Sequence, residues 1–265
     1  MKNIYSELLE LSRGKLAGVL VTVVEKTGSG PAVSGTKMLV YPDGSIIGTV
    51  GGGTIEKMAI EKAMSLFKTQ ENCLEEFTMN EPDSTGTATG MLCGGTATLF
   101  FEYFAPRNHI YIFGAGHVGK ALVYHLKNLD YFVTVIDDRK DVLDLVEGAN
   151  EKILGKFEQA LDNHIVAADA YFVIATYQHK HDGLVLNRIY KSNWNPKYIG
   201  MVSSRSKQKI LLDRLQAEIP DADLGKCYIP VGLDIGGGSP DDIALSIIAE
   251  IQAVRFGKTG GHLRG

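Results

Sequence analysis

The stretch that decides the fold is Tyr111-Ile112-Phe113-Gly114-Ala115-Gly116-His117-Val118-Gly119-Lys120-Ala121-Leu122. Its apolar start predicts a short buried strand, and the helical spacing of Val118, Leu122 and Leu126 predicts a helix after the glycines. Glycines spaced as G-x-G-x-x-G between a strand and a helix are typical of dinucleotide-binding folds. The stretch therefore predicts a Rossmann-like domain.

Each glycine of this turn has its own expected role. Gly114 permits the tight turn, Gly116 lets the backbone approach a pyrophosphate, and Gly119 lets helix and strand pack closely. The free N–H groups at the helix start, together with the helix dipole, favour a phosphate beside His117. A Rossmann scaffold that binds no dinucleotide is the alternative, because fold does not fix function.

A second apolar run follows the helix and ends in an acidic residue, Asp137. An acid at the end of the second strand suits a ribose 2′-OH, and its charge would repel a 2′-phosphate. NAD(H) is therefore the expected dinucleotide, rather than NADP(H). Arg139 can accommodate an adenine or a phosphate, or it can be a solvated loop charge. We also expect Gly114→Val to abolish nucleotide binding with the fold largely retained.

Bulk properties exclude several classes of protein. The chain has 265 residues, 45% of them hydrophobic, and a net charge of −4, so no basic surface for nucleic acid is expected. No apolar stretch reaches the roughly 20 residues of a membrane span, and the start lacks an apolar signal core. We expect a cytoplasmic protein without membrane association. Its three cysteines, Cys73, Cys93 and Cys227, form neither a disulfide framework nor a zinc pattern.

The first part of the chain, residues 1–106, has strands spaced as hairpins, and predicts a smaller α+β domain. Gly51, Gly52 and Gly53 lead into a helix for which Thr54 is the expected N-cap. Three glycines before a helix can gather backbone N–H groups around an anion. A tight turn that needs positive φ explains them equally well.

A polar loop rich in turn formers delivers Cys93, Gly94 and Gly95. A cysteine on a glycine-flanked turn can expose its sulfur near backbone N–H groups, which would favour the thiolate. The alternative is a small buried residue at the start of a strand, because free cysteine is commonly buried.

From residue 107 to 265 the pattern changes to alternating strands and helices, which predicts a parallel sheet. After the strand that ends at Ile174 come His179, His181 and Asp182, on the side where open parallel sheets bind ligands. Such an array can bind a metal or transfer protons, or Asp182 can simply start the next helix.

Two further helix starts carry signals of their own. Ser203 and Arg205 precede a helix and resemble an anion clamp, although serine caps alone would explain them. Ser239, Pro240 and two aspartates predict the start of the last helix. The predicted fold class is α/β, with a C-terminal Rossmann-like doubly wound parallel sheet and a smaller N-terminal α+β domain.

A set of short motifs occurs in one order along the chain. They are Gly51-Gly52-Gly53 with Glu56, Cys93-Gly94-Gly95, Phe113-Gly114-Ala115-Gly116-His117-Val118-Gly119, Val135-Ile136-Asp137-Asp138-Arg139, Gly200-Met201-Val202-Ser203-Ser204-Arg205, Pro230-Val231-Gly232-Leu233-Asp234-Ile235-Gly236 and Ile248-Ala249-Glu250-Ile251. With these motifs the chain resembles the xanthine dehydrogenase accessory factor family, the XdhC/CoxI proteins. The resemblance runs nearly end to end, but Tyr177-Gln178 stand where Arg-Gly is common.

The resemblance implies a maturation factor rather than an enzyme. Members of the family are described as binding molybdenum cofactor (molybdopterin), protecting it during sulfuration and delivering it to a xanthine dehydrogenase-type molybdenum hydroxylase. Cys93 is the cysteine carried over, and it would ligate molybdenum or relay sulfur from a cysteine desulfurase. His181 and Asp182 match the pattern as well. We expect a homodimer, because closed dimers are the commonest assemblies.

Other functions fit parts of the same sequence. An NAD(P)-dependent oxidoreductase would need an acid or base such as His181 beside a nicotinamide. A nucleotide sensor would need only the dinucleotide and an assembly equilibrium. A component of xanthine dehydrogenase itself is a further alternative, but the chain has no iron–sulfur cysteine pattern.

Overall fold

A computed structural model describes residues 3–12, 14, 16–28, 31–78, 87–88 and 95–264. The chain divides into two compact units, Met1–Arg107 and Asn108–Gly265. Each unit has its own sheet and its own hydrophobic core. None of the helices in the described part of the chain is long and apolar enough to cross a membrane.

The first unit is built on a six-stranded sheet with the order β3-β2-β1-β6-β4-β5. Its elements are α1 (Ile4–Ser12), β1 (Gly18–Gly28), β2 (Lys37–Val40), β3 (Ile46–Gly48), α2 (Gly53–Thr69), β4 (Cys73–Thr78), β5 (Thr87–Ala88) and β6 (Gly95–Phe104). All neighbours pair antiparallel except β4 and β5. The long β1–β6 pair holds the sheet together.

Helix α2 covers one face of this sheet with four buried residues at helical spacing, Ile55, Ala59, Ala63 and Leu66. Helix α1 packs on the other face through Leu11. The expected N-cap at Thr54 is wrong, because α2 begins at Gly53, two residues before the start that a Thr54 cap would give. Its N-cap is Gly52, which has φ +74° and no side chain to cap the helix.

The second unit is a parallel sheet with the order β12-β11-β10-β7-β8-β9. Its elements are β7 (Asn108–Phe113), α3 (His117–Leu126), β8 (Tyr131–Asp137), α4 (Lys140–Asp144), β9 (Glu151–Leu154), β10 (Tyr171–Ile174), α5 (His179–Lys191), β11 (Tyr198–Met201), α6 (Arg205–Glu218), a 3-10 turn (Leu224–Lys226), β12 (Cys227–Tyr228) and α7 (Pro240–Arg255). Read from the opposite edge, this is the six-stranded Rossmann order 3-2-1-4-5-6.

Side chains of β7 alternate between two cores. Ile110 and Ile112 pack with α3 and α7 on one face of the sheet, and Tyr111 and Phe113 join residues of α5 and α6 on the other. Both faces are therefore covered by helices, as parallel sheets require. The predicted α/β class with a doubly wound parallel sheet is confirmed.

The start of α7 is capped as the sequence predicts. The Ser239 hydroxyl accepts the backbone N–H of Asp242 at 3.2 Å, and the Asp242 carboxylate accepts the backbone N–H of Ser239 at 3.0 Å. This reciprocal pair is a capping box, which satisfies two donors at the helix start. Ser204 also stands at an N-cap, before α6, but its side chain makes no cap bond.

The two serines give a matched test of the cap. We expect Ser239→Ala to lower the free energy of unfolding by about 1 kcal/mol, because a backbone donor loses its acceptor. Ser204→Ala should change it by less than about 0.5 kcal/mol, because no cap bond is lost. Urea unfolding followed by circular dichroism measures both. Equal effects of the two substitutions would contradict the cap assignment.

Candidate functional site

A crevice of about 530 Å³ lies at the carboxyl end of the parallel sheet in the second unit. The chain connections run in opposite directions from β7 and β10, so a ligand crevice is expected between these two strands. Its lining comes from the turns that follow β7, β8, β10 and β11. The residues used below are Gly116, His117, Lys120, Arg139, Thr176, Tyr177, His179 and Asp182.

The three glycines of the turn after β7 differ in the space available for a side chain. Gly114 has φ +116°, and a Cβ there would overlap the backbone carbonyl of Ala175. A Cβ on Gly119 would overlap the carbonyl oxygen of Gly114. Gly116 has φ −71°, and no atom lies within 4 Å of a Cβ placed on it. Gly114 and Gly119 are thus required by the fold, while Gly116 borders open space in the crevice.

The geometry of Gly114 changes the expectation for its replacement. Valine at this position would combine a disfavoured backbone angle with a clash against the neighbouring strand connection. Gly114→Val therefore damages the fold and cannot isolate ligand binding. Gly116 is the position at which a side chain can be added without disturbing the protein.

The start of α3 is open to an anion. Its N-cap is Gly116, which has no side chain to bond the first N–H groups of the helix. Lys120, in the first turn, and Arg139, after β8, also line the crevice. Helix N–H groups and the Lys120 ammonium together favour a phosphate or a similar anion, while the charge of Arg139 is balanced by Asp137.

Asp137, predicted to hold a ribose, is instead fully buried and bonded to the protein on both oxygens. One oxygen accepts the Ala115 N–H at 2.7 Å and an Arg139 guanidinium N–H at 2.9 Å. The other accepts the Arg139 backbone N–H at 3.0 Å and its Nε–H at 2.9 Å. Burial alone would raise the pKa of Asp137, but these hydrogen bonds lower it below the ordinary 3.8. Asp137 links the end of β8 to the glycine turn.

Tyr177 closes the crevice beside this pair. The Arg139 guanidinium lies 4.1 Å from the centre of the Tyr177 ring, and the Tyr177 hydroxyl donates to Asp138 at 3.1 Å. The other oxygen of Asp138 is buried and has no hydrogen-bond partner within the described residues. The Arg139 guanidinium therefore stacks on the Tyr177 ring, and both side chains line the crevice.

His179 rather than His181 faces the crevice. The Asp182 carboxylate, nearly fully buried, lies 3.4 Å from His179 Nδ1 and accepts the Thr176 hydroxyl at 2.5 Å. Burial raises the pKa of Asp182, although Thr176 and His179 oppose the shift. Lys207 Nζ lies 2.5 Å from His179 Nε2. The array can bind an anion through Lys207 or pass a proton through His179.

His181 belongs to a different environment. Its ring packs against Phe157 at 5.3 Å and Tyr177 at 5.1 Å between centroids. Its Nδ1 is buried without a hydrogen-bond partner among the described residues. The family resemblance pointed to His181 and Asp182 together. In the structure, Asp182 instead contacts His179.

The remaining predicted residues of the second unit lie around the same edge. Ser203 follows β11, and its hydroxyl contacts the Ser204 carbonyl at 3.4 Å. Arg205 is the first residue of α6. The crevice lining from this part of the chain is Val202. Within the described residues, no group of three or more His, Cys, Asp or Glu side chains is arranged to hold a metal.

The glycine turn of the first unit is explained by its backbone angles. Gly51, Gly52 and Gly53 have φ of +128°, +74° and +64°, a region that favours glycine. The Thr49 hydroxyl donates to the Glu56 carboxylate across this turn and accepts the Gly51 N–H at 3.1 Å. The tight-turn interpretation is sufficient here, and an anion at this helix start stays a prediction.

Two predicted residues, Cys93 and Gly94, lie outside the described residues. Gly95, next to them, begins β6 and pairs with Gly28 at the end of β1. The two described cysteines are poor thiolates. Burial raises the pKa of Cys73, and it raises the pKa of Cys227 to about 11. Neither resembles a reactive cysteine, whose pKa is lowered.

The sequence motifs of both units match one protein family. The family described as the XdhC Rossmann domain matches residues 110–251, which is more than half of the chain. The XdhC and CoxI family matches residues 11–78. This chain belongs to the XdhC/CoxI family. The resemblance seen in the sequence is confirmed.

Two curated proteins and one crystal structure are similar to this XdhC/CoxI chain. Uncharacterized protein YqeB of Escherichia coli K12 is 29% identical over 98% of the chain, which spans only 47% of YqeB. A Bacillus subtilis 168 protein described as a probable xanthine dehydrogenase subunit is 22% identical, with 96% of the chain and 98% of that protein covered. A crystal structure described as a xanthine dehydrogenase from Bacillus halodurans is 21% identical, covers 97% of both chains and has a TM-score of 0.53. This last likeness supports the fold alone.

Sequence reasoning missed several residues that line the crevice. Lys120 and Thr176 carried no motif signal, and Tyr177 was noted only as a departure from the family pattern. Lys207 does not line the crevice, but it contacts the crevice residue His179 from 28 positions along the chain, so this contact depends on the packing of α5 beside α6. One signal was available, because both Thr176 and Tyr177 directly follow a predicted strand at its carboxyl end.

The contact between Asp137 and Arg139 predicts how the free energy of unfolding changes at low pH. The folded-state pKa of Asp137 lies below the ordinary 3.8. The ionised carboxylate therefore stabilises the fold above about pH 4. This contribution to the free energy of unfolding is lost as the pH falls through the folded-state pKa. We expect Asp137→Asn to cost about 2 kcal/mol at pH 7 through lost charged hydrogen bonds, and less at pH 3. Urea unfolding at both pH values measures the difference.

Asp141→Asn is the control for this measurement. Asp141 is exposed in the short helix that follows Arg139. Its replacement removes the same charge without a buried partner, so stability should change by less than about 0.5 kcal/mol. A cost for Asp137→Asn that is the same at pH 3 and pH 7 would show that the carboxylate charge is not what stabilises the turn.

Proposed function

We propose that this protein is a maturation factor that binds molybdenum cofactor and helps its sulfuration and insertion into a xanthine dehydrogenase-type molybdenum hydroxylase. Membership of the XdhC/CoxI family supports an accessory role connected with xanthine dehydrogenase. The B. subtilis relative, described as a probable xanthine dehydrogenase subunit, points to the same enzyme class. A cysteine desulfurase as sulfur donor, a cytoplasmic site of action and a homodimer are parts of this proposal.

The observation that carries the proposal is the crevice beside the uncapped start of α3. Its volume of about 530 Å³ lies in the range of small-molecule sites. The terminal phosphate of a pterin cofactor fits helix N–H groups flanked by Lys120 and Arg139. The stacked Tyr177 ring and Arg139 guanidinium line the crevice, and each can stack on a planar ring system. These residues suit the organic part of the cofactor.

The metal end of the cofactor would need a soft ligand. Molybdenum bound to sulfur suits a thiolate better than the hard carboxylates of the crevice. Cys93 is the candidate that the resemblance to the XdhC/CoxI family implies, through its Cys-Gly-Gly motif. Burial raises the pKa of Cys73 and of Cys227, which disfavours their thiolates.

NAD(H) is the second candidate ligand for the same crevice. The sheet order and the glycine turn are those of dinucleotide-binding domains. An NAD(P)-dependent oxidoreductase would use His179, oriented by Asp182, as its acid or base. The fully occupied carboxylate of Asp137 argues against the usual ribose contact.

Gly116 variants test whether the crevice is the binding site. The wild type, Gly116→Ala and Gly116→Asp would be purified from a molybdenum-competent host, and bound pterin would be oxidised and measured by fluorescence. We expect Gly116→Asp to lose at least about tenfold of the pterin, because its carboxylate enters the anion site, and Gly116→Ala to lose less, because its methyl group adds bulk without charge. All three should melt at similar temperatures, since a Cβ at Gly116 meets no atom within 4 Å.

NADH titration of the same preparations distinguishes the two ligands. Binding of NADH without pterin, together with turnover of a carbonyl substrate, would favour the oxidoreductase. Pterin retained equally by Gly116→Asp would show that the cofactor lies elsewhere. Wild-type protein with neither ligand would contradict both functions.

Cys93→Ser tests the thiol. We expect the variant to lose most of its ability to activate the apo-hydroxylase, because a serine hydroxyl is neither soft nor ionised near pH 7. Cys73→Ser is the matched control, a described cysteine whose pKa is raised by burial, and it should retain activation. Activation is measured as hydroxylase turnover after reconstitution. Full activation by Cys93→Ser would remove the thiol from the mechanism.

A further inference from the structure

A second concave surface lies beside the crevice, between α5 and α6. This groove has a volume of about 620 Å³. Five apolar residues form its floor, Leu184, Leu186, Ile210, Leu211 and Leu215. We call this surface the α5–α6 groove.

The floor of the α5–α6 groove is only partly covered by the protein. Leu186 and Leu215 are 2% and 4% exposed and belong to the core. Leu184 and Ile210, on the same floor, are 40% and 53% exposed. Two large aliphatic side chains are thus exposed to solvent beside residues of the hydrophobic core. An exposed apolar surface of this kind is typical of a protein-binding site.

The rim of the groove is basic although the whole chain carries a net charge of −4. Four cationic side chains, Lys180, Lys191, Lys207 and Arg214, line it, with Glu218 as the one acid among the lining residues described. Lys191 already binds Glu218 at 3.0 Å. Within residues 95–264, neither Lys180 nor Arg214 has an ion-pair partner. The groove therefore combines an apolar floor with unneutralised positive charge.

The groove and the crevice meet at one side chain. His179 lines both, and Lys207, a groove residue, contacts His179 Nε2. A molecule seated in the groove would therefore lie beside whatever occupies the crevice. This continuity is what a carrier needs when it transfers its cargo to a bound acceptor.

We propose that the α5–α6 groove docks an acidic amphipathic helix of the molybdenum hydroxylase that receives the cofactor. This inference rests on the proposed function. The 13 residues of α5 span about 20 Å, which matches three to four turns of a bound helix. Apolar residues of that helix at i, i+4 and i+7 contact Leu184 and Ile210, and its Asp and Glu side chains face Lys180 and Arg214.

The test uses purified full-length protein and the purified apo-hydroxylase of the same organism. Ile210→Glu places a carboxylate on the apolar floor, and we expect it to weaken hydroxylase binding by at least about tenfold in calorimetry or interferometry. Ile165→Glu is the matched control, since Ile165 is 94% exposed outside the groove. The control should bind like the wild type. Pterin content of Ile210→Glu should also equal the wild type.

Charge reversal on the rim has a different expected signature. Lys180→Glu with Arg214→Glu should reduce the association rate at low salt and remove most of the salt dependence of binding, because rim charges steer encounter. Ile210→Glu should act mainly on the dissociation rate. Salt-independent binding by the wild type would overturn the acidic-helix assignment.

The outcomes separate this inference from the proposed function. Two adjoining sites are supported if Gly116→Asp loses its pterin but binds the hydroxylase normally. The matching result is that Ile210→Glu keeps its pterin but loses hydroxylase binding. Normal binding by Ile210→Glu overturns the docking proposal and leaves the maturation function in place. A dimer that becomes monomeric only in Ile210→Glu, by light scattering, would show that a second copy of this chain covers the groove. Wild-type protein that binds neither pterin nor hydroxylase overturns both.

Discussion

The buried carboxylate of Asp137 is the contact on which the crevice depends. It lies at the end of β8 and accepts hydrogen bonds from the glycine turn after β7 and from both the backbone and the side chain of Arg139. The turn, the strand end and the guanidinium are therefore fixed together. Because Arg139 also stacks on Tyr177, the same carboxylate reaches the loop after β10. One charged group thus positions three of the four segments that line the crevice.

A second buried carboxylate, that of Glu250, connects α7 to β11 and to the loop after β12. Glu250 in α7 is 8% exposed and accepts the Tyr198 hydroxyl at 2.6 Å and the Gly232 N–H at 3.0 Å. Burial, with the nearby Glu250 charge, raises the pKa of Tyr198 well above its usual value, so the hydroxyl stays a donor. The glycine-rich loop after β12 is thereby tied to the helix beneath it.

The sequence predicted the fold more completely than it predicted the site. Strand and helix identities followed from apolar periodicity, and the capping box at Ser239 was readable because all its members lie within four residues. Asp137 was placed correctly at the end of its strand, but its partners were not, since nothing local shows whether a carboxylate faces a ligand or a neighbouring guanidinium. Likewise, nothing in the sequence distinguishes Glu250 from the other polar residues of α7. Its burial depends on Tyr198, 52 positions away.

The sequence by itself determined the two-sheet plan, the glycine turn and membership of the XdhC/CoxI family, because these depend on local conformation and on the order of motifs along the chain. Only the tertiary structure decided which polar groups meet. It joins the Asp137 carboxylate to the glycine turn, brings Lys207 of α6 onto the His179 imidazole and leaves the α5–α6 groove uncovered in the part of the chain that the structure describes. The physical reason is that side-chain partners across a parallel sheet come from segments joined by long crossovers, and spacing within one segment carries no information about the next.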